Sequence, residues 1–369
     1  MRVLITGADG FIGKNLEFFL QNQELVTEII KLNRSSSEKE FAQKLERADF
    51  IFHLAGENRP RLKSDFYNGN VEYTKKIIKF LEAKKLKPTI LYVSSKKIED
   101  GTDYGKSKKL AEEAVVKYSK NTKASYYIFR LPNVFGKWCK PNYNSFVATF
   151  CNNIALGLPI TIHDNNTKVE LIYIDDLCQQ FLGFIGNNKK SGLVKIKHTF
   201  KTTVGEVAKI INNFHDDRKN FFVDSVGSGL KRALYATYLS YVNPLDFSYG
   251  LLVNKDERGF FSEVIKTYHS GQISVFTAHP GVTRGQHYHH TKNEKFLIVQ
   301  GEALFRFKNI LTNELFEIHA SADELKIVET IPGWSHDITN VGENELIAFL
   351  WANEIFDPEN PDTFYYELK

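Results

Sequence analysis

Met1-Arg2-Val3-Leu4-Ile5-Thr6 runs straight into Gly7-Ala8-Asp9-Gly10-Phe11-Ile12-Gly13, and this junction decides the fold. An apolar strand, Val3–Thr6, is followed by a glycine turn and a helix to about Gln21. Glycines permit a tight turn and let the backbone approach a pyrophosphate on the helix N-terminus. Working outward, Val26–Leu32, Asp49–Ala55, Thr89–Ser94 and Ser125–Arg130 read as strands. Asn70–Lys84 and Tyr104–Ser119 carry helical spacing between them. Strand–helix alternation at this pace predicts a Rossmann-like α/β domain, a doubly wound parallel sheet. Residues 140–243 are less regular and are expected to build a substrate lobe.

The second strand ends in Lys31-Leu32-Asn33-Arg34, with Ser35–Ser37 following. An acidic residue there would grip the ribose hydroxyls of NAD; a cation with hydroxyls suits a 2′-phosphate, so NADPH is the expected cofactor. Tyr104 and Lys108 lie four apart on a helix and share a face. An ammonium beside a phenol lowers its pKa and makes it a proton donor and acceptor. Ser94 and Ser95 end the preceding strand, where a hydroxyl can bind the same substrate oxygen.

These segments, with His53-Leu54-Ala55-Gly56, Asn70 with Thr74, Arg130-Leu131-Pro132-Asn133-Val134-Phe135-Gly136 and Tyr173-Ile174-Asp175-Asp176, resemble the extended short-chain dehydrogenase/reductase family over residues 1–176. The resemblance implies that Tyr104 is the catalytic acid and that Lys108 tunes it and holds the nicotinamide ribose. It also implies that Ser95, with Ser94 as the alternative, binds the reacting oxygen. The cofactor would rest on Gly7, Gly10, Phe11, Ile12, Gly13, Asn33, Arg34 and Lys108. Dehydratases of the family carry an acidic pair where Lys96 and Lys97 stand here. That departure points to carbonyl/alcohol redox rather than loss of water.

The 369 residues, 42% hydrophobic and 25% charged, exclude a disordered or fibrous chain and exceed one ordinary core. Net charge is +4 overall, but residues 1–243 hold 38 Lys+Arg against 25 Asp+Glu, and residues 244–369 hold 10 against 19. Seven of the eleven histidines lie in the second stretch. A boundary at Asn243-Pro244 is therefore expected, with two modules doing different work. The lysines of the first are scattered over helix and strand patterns, which suits a solvated surface and a diphosphate substrate rather than nucleic acid. Three cysteines, Cys139, Cys151 and Cys178, argue against a disulfide framework. No apolar run spans a membrane and the chain opens on a strand rather than a signal peptide, so a cytoplasmic location is expected.

Past residue 244 short strands replace the alternation: Gln272–Thr277, Lys295–Val299, Ala303–Phe307, Leu325–Thr330 and Glu345–Trp351. This predicts an all-β jelly roll. Two imidazoles in His287-Tyr288-His289 fall on one face of a strand. A carboxylate and a third imidazole from elsewhere could complete a divalent-metal site. Gly281–His289 with Glu294 and Gly301, and Pro332-Gly333-Trp334-Ser335-His336 with Asn340, resemble the two cupin motifs, with Pro332 placed directly before Gly333. The resemblance implies His287, His289, Glu294 and His336 as ligands, for zinc, iron or nickel, with zinc expected. Neighbouring His290 could replace a ligand or act as a base.

Asp256–Glu263 and Thr283–Tyr288 also resemble deoxysugar 3,5-epimerases, whose catalytic base falls at His287. Either His287 is that base or a metal has taken over, and the complete donor set favours the metal. Arg258 and Arg284 would then bind substrate phosphates or an oxyanion. Reductase followed by cupin resembles the bifunctional nucleotide-sugar enzymes of capsular polysaccharide synthesis. The resemblance implies C3 epimerisation of a UDP-2-acetamido-2,6-dideoxy-4-hexulose and NADPH reduction of its C4 ketone, in a homodimer. The alternatives are a reductase with a structural cupin, and a non-catalytic NADP sensor.

Overall fold

The computed structural model describes residues 1–187 and 189–368. Its chain divides into two compact units, Met1–Asn212 with Gly227–Asn243, and Asn213–Val226 with Pro244–Lys369. The second unit thus begins before residue 244. Phe222–Val223 of the intervening segment pairs in parallel with Lys266–Thr267, so backbone hydrogen bonding ties it there.

In the first unit β1 (Arg2–Thr6), α1 (Phe11–Gln21), β2 (Glu28–Leu32), α2 (Glu38–Arg47) and β3 (Phe50–His53) alternate. After a short helix α3 (Lys63–Phe66) and a π-helical turn, Tyr67–Glu72, come α4 (Tyr73–Ala83), β4 (Thr89–Ser95), α5 (Asp103–Thr122) and β5 (Tyr126–Leu131). The helix expected over Asn70–Lys84 therefore begins as a π turn. That wider winding carries Asn70, which is buried with both ends of its amide bonded elsewhere. With β8 (Gly192–Leu193), the strands form one parallel sheet in the order β2-β1-β3-β4-β5-β8. The chain leaves β1 for β2 and returns to β1's other side as β3, so the crevice at their C-terminal ends is a topological switch point. A separate sheet joins β6 (Asn133–Phe135), β7 (Lys168–Tyr173) and β9 (Thr199–Thr203).

Val3, Leu4 and Ile5 are all fully buried, as a central parallel strand covered on both faces requires. Gly7 has φ +69°, and a Cβ there would stand 2.9 Å from the Ala55 backbone. Gly13 lies inside α1, where a Cβ would meet the Gly7 carbonyl at 2.4 Å. The three cysteines are buried and unpaired.

The second unit is two mainly antiparallel sheets. One takes β10 (Phe222–Val223), β12 (Gly259–Thr267), β13 (Gln272–Ala278), β20 (Leu346–Ala352), β15 (Glu294–Gln300) and β18 (Ile327–Thr330), with β11 (Val253–Asp256) beside β12. The other takes β17 (Leu315–Ser321), β16 (Glu302–Asn309), β19 (Trp334–Asn340), β14 (Thr283–Tyr288) and β21 (Phe364–Tyr365). Phe276, Phe296, Ile298 and Leu350 from the first pack against Phe305, Phe307 and Ile338 from the second. Two packed β-sheets fit the all-β barrel or jelly roll that the spacing predicted, and are consistent with the cupin resemblance. No helix among the described residues is long and apolar enough to cross a membrane.

Gly13→Ala provides a test of the packing. An alanine normally stabilises a helix interior by up to about 1 kcal/mol over glycine. Here the carbonyl contact reverses the sign, and chemical denaturation is expected to show a lower midpoint for the variant.

Candidate functional site

At the switch point the N–H groups of α1 open onto the crevice. Gly10 precedes the helix without a side-chain cap, and no acidic residue occupies its first turn. Phe11, Ile12 and Gly13 thus present free donors and a positive helix end, which fits an anionic pyrophosphate. Asn33 and Arg34 stand at the end of β2. The Asn33 Oδ1 is buried without a partner. The Arg34 side chain is 83% exposed, and its guanidinium reaches Glu57 at 2.5 Å. A cofactor phosphate at Arg34 would therefore compete with Glu57.

His53 ties the switch point together. Thr74 Oγ1 donates to the Asn70 carbonyl (2.6 Å), so it accepts from His53 Nε2–H at 2.8 Å. On the other side Thr6 Oγ1 accepts from the Ala55 N–H (3.1 Å) and donates to His53 Nδ1 at 2.7 Å. Both hydroxyls are thus used as donor and acceptor, which assigns the imidazole as neutral, with its proton on Nε2. Burial accordingly pushes its pKa down to about 3. Asn70 carries the network onward: its amide brackets the backbone of Glu57 (2.8 and 3.0 Å) and donates to Ser107 Oγ at 2.9 Å. Ser107 Oγ in turn donates to the Tyr104 carbonyl (2.8 Å).

Tyr104 and Ser95 are brought together, close enough that Ser95 acts on the phenol, and Ser95 Oγ accepts from the Lys97 N–H at 3.2 Å. Ser94 Oγ is buried with no partner. Lys108 is buried, donates to the Val93 carbonyl at 2.7 Å, and lies 4.6 Å from the Tyr92 ring centroid. Its expected effect on Tyr104 is not what dominates. Burial raises the Tyr104 pKa while Ser95 works to lower it, and burial brings Lys108 down to about 7. A dry site disfavours the phenolate and the ammonium alike. Lys96, in place of a dehydratase acid, pairs with Glu170 at 2.5 Å.

In the second unit, donor atoms of His287, His289, Glu294 and His336 all lie within 4.8 Å of one another. Strand alternation presents His287 and His289 on one face of the chain, and the pairing of β14 with β19 sets His287 opposite His336. A bulge at Gln286, φ +64°, makes that register possible. Glu294 Oε2 is 3.3 Å from both His289 Nε2 and His336 Nε2. His289 Nδ1 bonds the Asp362 carbonyl oxygen, which turns Nε2 toward the cluster. The Asp362 carboxylate accepts the N–H groups of His290, Thr291 and Lys292, a brace that sequence reading missed. Hydrogen bonds and nearby charges hold the Glu294 carboxyl well below its usual range, and burial brings His287 down to about 3. Three imidazoles gathered around an ionised carboxylate are the kind of donor set that a divalent cation takes, so the residues fit a metal.

His290 is not part of this group. It is exposed and packs on Phe364, with ring centroids 4.7 Å apart, because strand alternation turns it away from His289. Arg258 and Arg284 converge instead on Asp256, at 2.5 and 3.8 Å. Arg284 is also anchored by the Thr277 carbonyl at 2.8 Å.

Residues 3–196 match the family described as the NAD dependent epimerase/dehydratase family, and residues 254–364 match the polysaccharide biosynthesis C-terminal domain. The chain is 46% identical to the UDP-2-acetamido-2,6-beta-L-arabino-hexul-4-ose reductase of Pseudomonas aeruginosa, over 99% of this chain and 98% of that one. The crystal structure of the capsular polysaccharide assembling protein CapF from Staphylococcus aureus superposes with a TM-score of 0.91 at 40% identity, covering all of both chains. The UDP-glucose 4-epimerase of Thermus thermophilus, solved with NAD, shares the fold (TM-score 0.53, 15% identity, 65% of this chain and 99% of that one).

The neutral His53 carries a pH consequence. The unfolded chain takes up its proton near pH 6.5, whereas the folded chain holds it off to about 3. Stability is therefore expected to fall with acidification below 6.5, by about 1.4 kcal/mol per pH unit from this group. Urea titrations between pH 7 and 5 should show that slope reduced in His53→Gln.

Proposed function

The chain belongs to the NAD dependent epimerase/dehydratase family, and from that premise we propose a bifunctional nucleotide-sugar enzyme of capsular polysaccharide synthesis. Its substrate is a UDP-2-acetamido-2,6-dideoxy-4-hexulose. The second unit inverts C3 and the first reduces the C4 ketone, giving UDP-2-acetamido-2,6-dideoxy-L-talose. The observation that carries this reading is the pairing, in one chain, of the Ser95–Tyr104–Lys108 group with a four-donor His/Glu cluster. The full-length likeness to a 4-keto sugar nucleotide reductase supports it.

NADPH, when bound along Gly7, Gly10, Phe11, Ile12 and Gly13 with Asn33 and Arg34 at its 2′-phosphate, supplies the hydride. The chain does the rest. Ser95 Oγ–H holds the C4 oxygen in the position Tyr104 needs. Tyr104, a phenol kept protonated by burial, delivers its proton to that oxygen as the C4 carbonyl becomes an alcohol. Lys108 lies below them, where its ammonium can hold the nicotinamide ribose.

A divalent metal, with zinc proposed, would be held by His287, His289, Glu294 and His336 and would supply Lewis acidity toward the C4 carbonyl oxygen. The Asp362 carbonyl turns His289 Nε2 inward, toward the other donors. Arg284, anchored to the Thr277 carbonyl, offers its guanidinium to an oxyanion or phosphate, and Arg258 adds a more exposed charge. Epimerisation must come first, because the C3 proton is acidic only while C4 is a ketone. We further propose a homodimer. Across the face of the sheet turned away from the core run Val275, Phe349, Leu297 and Ile327 in register, with Phe349 41% and Ile327 57% exposed. A row of this kind is self-complementary about a two-fold axis.

Three tests follow from this reading. With a UDP-4-keto-6-deoxy sugar in D₂O, NMR should show deuterium at C3 without NADPH and the 6-deoxy-talose sugar with it. Tyr104→Phe should reduce NADPH oxidation by at least about 10²-fold while leaving the exchange intact; loss of both in the folded variant would sink the division of labour. His336→Ala should abolish the exchange and bound metal by elemental analysis, whereas unchanged turnover and product stereochemistry would favour a structural second unit.

A further inference from the structure

The metal reading of the second unit, on which this inference rests, gives Lys292 no part. Lys292 lies in the turn between β14 and β15, two residues before Glu294, and is only 9% exposed. Long basic side chains ordinarily keep their heads in water. Here Nζ points inward instead. It pairs with Glu294 Oε1 at 3.3 Å, and the Phe356 ring centroid lies 6.0 Å away. The backbone of the turn is fixed around this pair. The Lys292 N–H donates to the Asp362 carboxylate (2.8 Å), the Asn293 N–H to Asn353 Oδ1 (2.9 Å) and the Glu294 N–H to Thr330 Oγ1 (3.0 Å). Glu294 is itself buried, so its carboxylate meets protein groups rather than water.

The two oxygens of that carboxylate serve different partners. Oε2 stands 3.3 Å from both His289 Nε2 and His336 Nε2, among the donors that would hold a metal. Oε1 faces Lys292. A lysine Nζ offers donors and no acceptor, so an oxygen that it occupies is withheld from a cation. A carboxylate without such a partner can take a divalent ion through both oxygens. We propose that Lys292 is a positioning residue that holds Glu294 to ligation through one oxygen. Three imidazoles and a single carboxylate oxygen then leave a coordination position free for the substrate's C4 carbonyl oxygen. The need is chemical, because a catalytic metal site keeps an open position and a closed site is structural. Dividing the carboxylate also keeps a basic side chain and a metal from competing for one oxygen, where their repulsion would be greatest.

The test is cobalt(II) loading of the full chain, read by visible d–d absorption. These bands weaken as coordination rises, because a centrosymmetric octahedral ion forbids the transitions that a tetrahedral or five-coordinate ion allows. Wild type is expected to give the strong bands of low coordination. Lys292→Met keeps the side chain's length and removes its donors. It should bind as much cobalt and show bands several-fold weaker, as Oε1 joins the coordination sphere. Lys292→Arg, which returns a donor to Oε1, should restore most of the intensity. C3 deuterium exchange should fall by about 10- to 100-fold in Lys292→Met. Superimposable spectra of wild type and Lys292→Met overturn the proposal. Should Lys292→Met fail to fold by circular dichroism, Lys292→Gln, with a shorter side chain, decides by the same criterion. The spectra need neither sugar nor NADPH, so a wrong substrate would silence the exchange and leave the spectral change standing. A wild-type chain that binds no cobalt overturns the metal reading and this inference together.

Discussion

The neutral imidazole of His53 is the link on which the first unit's site depends. Its two nitrogens can satisfy Thr6 and Thr74 together only if one donates and the other accepts. That requirement joins β1, β3 and α4 at the point where the chain reverses its path through the sheet. From there the hydrogen bonds pass through Asn70 and Ser107 to the backbone of Tyr104. The end of β1 and the helix turn that carries Tyr104 are thus joined by one buried polar network. A charged histidine would have no acceptor on one side and would break the chain of donors.

The second unit solves a different problem by a different means. Its sheets need alternate residues to face the core, and that alternation also gathers polar ligands inside an apolar sandwich. Three imidazoles and a carboxylate are costly there unless they share a cation or one another. Short contacts to Glu294 and the Asp362 brace hold them in place. The bulge at Gln286 sets His287 opposite His336, a one-residue adjustment on which the whole donor set turns.

Much of this was legible from residue order alone. Apolar strands followed by a glycine turn, and histidines two apart on a β run, are local patterns with local causes. The π turn at Tyr67–Glu72 was not legible, because helical spacing looks the same until Asn70 is required to bond two distant segments. His290 stands outside the donor group. Adjacent to His289 in sequence, it faces the opposite way, onto Phe364. The expectation that Lys108 would depress the Tyr104 pKa considered the neighbouring charge and left out burial. In the folded chain desolvation raises the phenol, and Ser95 is what acts to lower it.

By itself the sequence offered Ser95, Tyr104, Lys108, His287, His289, Glu294 and His336 as candidate site residues through a family resemblance, and determined the parallel α/β class and the β-rich second half. These depend on periodicity and spacing, which short-range sterics translate directly into strand, turn and helix. Only the tertiary structure decided that Asn213–Val226 joins the second unit, that Asp362 braces the histidine cluster from 73 residues beyond His289, and that Arg130 clasps the Glu112 carboxylate. Each is a contact between segments far apart in the chain. Their energies depend on desolvation and on which groups are left to pair once the backbone has been buried, and no local pattern carries that information.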